Sequence, residues 1–259
     1  MRYNIRRLII ATAIIIFNFQ LSIVNSISAQ VGEYRHVWSF GLSGGYALNK
    51  VSFQPDVSQK MHGGYTYGIV GRYTSEKYFS TICSLQMEVN ITQLGWKEDI
   101  QTISGDRVIN PDTGLAEEYK RDITYVQIPF LAHLAWGKER RGVNAFLNAG
   151  PQIGFYAKEK ISKNYEKPYT PTNYPDYVSG KQRVNTEVEQ ETMAIEKKFD
   201  YGIAVGAGLE WDIRYVGRLS LEGRYYYGLG NLFGDSKKDE FGKSSNGTIF
   251  VKLSYLRDF

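Results

Sequence analysis

From Phe199 to Ile213 every second residue is apolar: Phe199, Tyr201, Ile203, Val205, Ala207, Leu209, Trp211, Ile213. Between them stand Asp200, Gly202, Ala204, Gly206, Gly208, Glu210 and Asp212, all small or acidic. A period of two predicts a strand with two unlike faces. The pattern outlasts the usual globular strand of about 5–6 residues. A long greasy face opposite glycine and carboxylate is how a strand looks with lipid on one side and a narrow polar lumen on the other. Such a strand is viable in a bilayer only if the chain holds enough partners to close a barrel.

The front of the chain reads as a leader. Arg2, Arg6 and Arg7 precede an apolar run over Leu8–Phe19, and Ile27-Ser28-Ala29 suits cleavage before Gln30. This predicts a signal peptide over 1–29 and a barrel domain over 30–259. A short membrane anchor is the rival, but the run is short for a spanning helix and no stop-transfer flank follows. No cysteine near the cut offers a lipid anchor, and Cys83, the sole cysteine, can form no internal disulfide. The leader carries three arginines and no acid, so 28 basic residues face 27 acidic ones in the remainder. That balance gives no reason to expect nucleic acid as a partner. With no 20-residue apolar run left, any membrane span must be β.

Alternation predicts eight strands, over about 37–48, 64–74, 79–94, 123–136, 143–157, 199–213, 218–229 and 248–259. Ser75-Glu76-Lys77 and Gly137–Gly142 read as short turns. Asn49–His62, Trp96–Arg121, Lys158–Lys198 and Gly230–Gly247 read as polar loops. Pro129 cannot donate to a ladder, so a bulge or local break is expected there. The expected fold is all-β: an eight-stranded antiparallel up-and-down transmembrane barrel. Long and short connections alternate, which predicts short periplasmic turns, long extracellular loops and both termini in the periplasm of an outer membrane. Trp38, Tyr73, Trp136, Trp211, Tyr255 and Phe259 would ring the periplasmic interface; Tyr46, Tyr65, Phe155, Phe199 and Tyr227 would ring the outer one. A soluble lipocalin-like barrel would put its apolar face inward. The glycine-dense, lysine-poor polar face and the tryptophans at the strand ends favour the membrane barrel, with outer-membrane lipid as its first partner.

Several stretches resemble the PorT-like outer-membrane β-barrel proteins of Bacteroidetes. They are Gly41–Phe53, the run from Gly64 through Arg72–Lys77 to Gln93–Glu98, Tyr125–Leu131 and Asn148–Gly154. The terminal Phe259 resembles the signal read by the barrel-assembly machinery. These are strand and turn patterns covering most of the chain. The resemblance implies the barrel fold and an association with type IX protein secretion or envelope assembly, with secretion-system components as partners; the residues themselves offer no catalytic, cofactor or metal set.

Chemistry has three places to reside. Arg72, Glu88, Glu210, Glu222, Arg224 and Lys252 are predicted to face inward. A lumen of eight strands is filled by side chains, so these charges should pair into a structural plug centred on Glu88, Arg224 and Lys252; a narrow solute or proton path is the alternative. His36, His62 and His133 form no triad or metal set by spacing, so an outer-membrane hydrolase is the weaker reading. The 158–198 loop, with Tyr165, Tyr169, Tyr174 and Tyr177 among Pro168, Pro171 and Pro175, could carry a protein or glycan site or be a surface loop with no fixed ligand or single conformation.

Overall fold

The computed structural model describes residues 33–137, 142–174, 181, 183–185, 188–213, 215–234 and 241–259. The expected leader, residues 138–141 of the expected turn, Pro175 and Tyr177 lie outside them. Among the described residues there are nine strands: β1 Glu33–Gln54, β2 Gln59–Lys60, β3 His62–Tyr78, β4 Thr81–Glu98, β5 Tyr119–Gly137, β6 Gly142–Lys163, β7 Phe199–Ile213, β8 Gly217–Gly228 and β9 Lys243–Asp258. Eight of them close a ring in the order β4-β3-β1-β9-β8-β7-β6-β5, with β5 returning to β4. Every pairing is antiparallel. The ninth, β2, adds only Gln59↔Glu98 and Lys60↔Lys97 beyond the end of the β3–β4 ladder. Closure leaves no sheet edge facing lipid, which is what a spanning sheet requires.

Most strands outrun their predicted ends, by up to six residues on the loop side, while β1 and β3 also gain four each at the short-turn end. On the loop side of β1, β4 and β5 the reason is an inversion of sidedness along the strand. On β1 the inner face passes from Ser39 and Ser43 to Val51 and Phe53, while the outer face passes from Trp38, Phe40 and Leu42 to Lys50, Ser52 and Gln54. On β4 the inner face passes from Gln86, Glu88 and Asn90 to Leu94 and Trp96, and the outer from Leu85, Met87 and Ile91 to Gln93 and Lys97. On β5 the same change runs from His133 and Gln127 to Ile123 and Tyr119 inside. Where lipid gives way to water, the apolar side chains turn inward. The stretches read as polar loops are therefore strand over 49–54, 96–98, 119–121, 158–163 and 243–247; their outward polar residues dominated the sequence pattern.

Two local readings change. Ser75–Lys77 is not a turn: the β3–β4 register shifts between Thr74 and Glu76, a bulge, and the chain reverses at Phe79-Ser80 with Phe79 at φ 50°. His62 is the first residue of β3 rather than part of a loop. At Pro129 the β4–β5 pairing lapses between Met87↔Phe130 and Asn90↔Gln127 with no change of register. A bulge lies nearby, but on β6: Thr124 and Tyr125 face Lys158 and Tyr156, leaving Ala157 as the extra residue.

Candidate functional site

The six charges expected in the lumen all point into it and are buried. They form one network. Arg224 grips Glu88 through both carboxylate oxygens, Nη2 donating to Oε1 at 2.6 Å and Nη1 to Oε2 at 3.1 Å. Its Nε donates to Glu222 at 2.8 Å. Lys252 Nζ donates to the same Glu88 Oε2. Arg72 Nη1 donates to Glu210 Oε2 at 2.5 Å and its Nε to Gln86 at 3.0 Å. Gln86 Nε2 in turn donates to Glu88 at 2.7 Å, and Asn90 Nδ2 does so at 2.8 Å. Three cations thus meet three carboxylates, each within hydrogen-bond reach, which is the condition for holding charge away from water. Gln86 and Asn90 escaped the sequence reading because neutral amides on a polar face carry no signal of their own.

The glycines of β7 make room for this filling. A Cβ on Gly206 would sit 2.4 Å from Glu222 Oε1, and one on Gly208 would sit 2.5 Å from the Phe146 ring. Side chains from the two flanking strands, Phe146 of β6 and Glu222 of β8, occupy the space that the bare β7 leaves.

Above the network the lumen is sealed a second time, by apolar packing. Phe53, Leu94, Trp96, Tyr119, Ile123, Phe233 and Phe241 are buried together with Tyr165 and Tyr169 of the long loop. Phe53 lies 5.2 Å from Trp96 and 5.1 Å from Phe241 between ring centroids. Arg121 sits over the Trp96 ring at 5.4 Å and binds Glu159 at 2.6 Å. The loops are stitched over this core. Arg183 donates to Glu117 at 2.6 Å and to Glu191 at 2.8 Å, Tyr165 donates to Glu191 at 2.8 Å, and the Tyr169 amide donates to Glu117 at 2.8 Å. Gln190 donates to Glu98 at 3.0 Å. Glu98 lies above the apolar band of the wall; burial, then the nearby Glu191, pushes its carboxyl up to about 7. In its described part the long loop is thus packed as a cap over the lumen. The sequence reading missed this because Glu117, Arg183 and Glu191 come together only through tertiary contact.

Below the network, at the short-turn mouth, lies a cavity of about 690 Å³ lined by Arg35, Ser84, His133, Asn144, Asp212 and Arg218 among others. The histidines are scattered. His133 is buried against Asn148 at 2.7 Å, His36 meets the Tyr73 hydroxyl at 2.6 Å, and His62 faces Asp122 at 3.0 Å. Among the described residues no cluster of His, Cys, Asp and Glu has the makings of a metal site.

The aromatics named for the interfaces lie on the outer wall. At the short-turn end Trp38 packs on Tyr73 at 4.8 Å, Phe259 on Phe40 at 6.1 Å, and Tyr255 donates to Val216 O at 2.5 Å. Trp136 and Trp211 are half-buried at the same end. Towards the loop end Tyr46 packs on Tyr65 at 5.6 Å and Phe155 on Phe199 at 5.4 Å.

A closed ring of eight antiparallel strands, apolar outside and polar within, defines a small transmembrane β-barrel. The chain belongs to the family described as outer membrane protein beta-barrel domain, whose model matches residues 28–234. Its place is accordingly the outer membrane. No curated protein matches it. Among solved structures it is similar to Ail, the attachment invasion locus protein of Yersinia pestis, crystallised with the heparin analogue sucrose octasulfate. The identity is 12%, over 86% of this chain and 100% of that one, with a TM-score of 0.36. It is also similar to Neisserial surface protein A, at 12% identity over 86% and 97% of the two chains and a TM-score of 0.40. OprG of Pseudomonas aeruginosa is similar at 10% identity over 87% and 98%, with a TM-score of 0.41. Likenesses so distant carry no ligand or partner across to this chain.

Proposed function

We propose that this barrel is a closed, non-enzymatic anchor in the outer membrane, and that the folded cap is its working part, holding a partner at the outer face. The observation that supports this most is the double closure. A buried, charge-balanced network at mid-lumen stands beneath a packed aromatic core over Phe53, Trp96, Phe233 and Phe241. A conducting pore needs a continuous wet path, and a lumen of eight strands has no width to spare for one. In this reading the six lumen charges are a structural plug, and the outer-wall aromatics sit at the two interfaces of the lipid. Both termini lie in the periplasm, as short turns on that side require, and Phe259 is read by the barrel-assembly machinery. Nucleic acid has no part. The test is to replace 99–118 and 158–197 with short linkers and compare partner capture at the cell surface. Capture should vanish while the barrel still inserts; capture that survives trimming would sink the reading.

The resemblance to PorT-like proteins of Bacteroidetes favours a second, finer reading, in which the partner belongs to a type IX secretion or envelope-assembly system. A clean deletion in the native host decides it. Cargo with type IX sorting signals should pile up in the periplasm and return to the surface on complementation; untouched secretion would confine the resemblance to fold.

A further inference from the structure

β6 stands taller than one of its two neighbours. On one side it pairs with β5 up to Tyr119↔Lys163. On the other its ladder with β7 ends at Phe155↔Phe199, followed by a single bond from Tyr156 N–H to Lys198 O at 2.8 Å. There the returning chain leaves the strand. Lys197 N–H donates instead to Leu232 O at 3.2 Å, and the Met193 carbonyl accepts from Arg121 over the lumen at 2.8 Å. From Lys158 to Lys163 this edge has no backbone partner among the described residues. A strand paired on one side turns alternate N–H and C=O groups toward the open side. Six residues at about 3.3 Å each give roughly 20 Å of such edge. It stands above the apolar band, in water.

The charge along it has one sign. Lys158 and Lys160 are exposed and make no ion pair among the described residues; Asp122, opposite Lys160 on β5, is taken by His62 and Lys120. Lys198, where the edge begins, is exposed too. The one acid within the stretch, Glu159, is held by Arg121 at 2.6 and 2.9 Å. Two copies of this edge would bring lysine against lysine, which disfavours self-pairing. A strand with carboxylates at alternate positions meets the opposite situation: its backbone completes the ladder while its acids face the lysines. The edge is also held ready. Tyr119 and Arg121 of β5 are locked into the cap core, with Arg121 over Trp96, so the cost of ordering falls on the incoming segment alone.

We propose that the open edge of β6 at Lys158–Lys163 is a docking site for an extended acidic segment of a partner protein, added to the sheet as a further strand. This rests on the cap being the recognition surface, and it names the surface and the partner's chemistry.

The experiment uses the full barrel in lipid nanodiscs and three probes: a short peptide alternating Glu with Thr, its Gln-for-Glu counterpart, and alginate as an acidic glycan. Binding is followed by fluorescence anisotropy and by amide hydrogen exchange. The Glu peptide should bind in preference to the Gln peptide and slow exchange of alternate amides within 158–163. Lys158→Glu with Lys160→Glu should weaken it roughly tenfold while leaving the barrel's heat-modifiable gel mobility unchanged. No binding, or binding without protection of those amides, overturns the proposal. Alginate binding that is lost in the same variant, with no amide protected by either peptide, would make the site a side-chain polyanion patch and likewise overturn it. The two levels fail separately: if cap trimming abolishes partner capture but the double Glu variant does not, the edge is wrong and the cap reading stands.

Discussion

The membrane band and the cap are built from the same strands by opposite rules. In the band, β4 shows Leu85, Met87 and Ile91 to lipid and keeps Gln86, Glu88 and Asn90 inside; a few residues on, it shows Lys97 to water and buries Leu94 and Trp96. One backbone serves both because a strand's two faces are independent, and each face answers only to its own surroundings. The cost of each half differs accordingly. The band must pair every charge it hides, whereas the cap, having water outside, can fill its interior with rings.

The largest test of that contrast is to break the band's pairing. Glu88→Gln leaves Arg224 and Lys252 buried without their shared carboxylate and should cost about 3–5 kcal/mol in barrel unfolding from micelles. A loss below about 1 kcal/mol would mean that water, not Glu88, satisfies the two cations. Trp96→Ala should cost a similar ~3–5 kcal/mol, but in the cap alone: limited proteolysis should open 99–118 and 164–174 while gel mobility still reports a folded barrel. If both halves melt together, they are one cooperative unit rather than two built on one sheet. On the outer wall, Leu42→Arg should destabilise by about 2–4 kcal/mol, whereas Ser52→Arg on the same face of the same strand should stay within about 0.5 kcal/mol. Equal costs would erase the proposed boundary between them.

The smallest effect is one of pH. Glu98 has a folded pKa raised to about 7 by burial and then by Glu191. A buried acid held protonated is most stabilising below its unfolded pKa, and that contribution is lost as pH rises from there through about 7. Proteolytic opening of the cap should therefore increase on the order of tenfold between about pH 5 and 8. Glu98→Gln should flatten the dependence; an unchanged profile in that variant would assign it to another group.

What was legible in the sequence follows the same division. Within the band the period of two is uninterrupted, so the eight ring strands, their faces and the six inward charges could be read directly; β7 was delimited to the residue, Phe199–Ile213. In the cap the sign of the pattern flips, and Lys50, Ser52, Lys120 and Asp122 turned the ends of β1 and β5 into apparent loops. The bulge at Thr74/Glu76 hid the true turn at Phe79-Ser80, since a bulge breaks alternation just as a turn does. The contact of Arg183 with Glu117 joins segments far apart in the chain, and no local pattern encodes it.

The claim at the centre is that the lumen is shut. Reconstituting the full barrel into a planar bilayer and recording current at neutral pH tests it most directly. The expected trace is flat, with no unit conductance steps. Steady, reproducible steps from the unaltered chain would contradict the closed anchor and return the lumen charges to the role of an ion path.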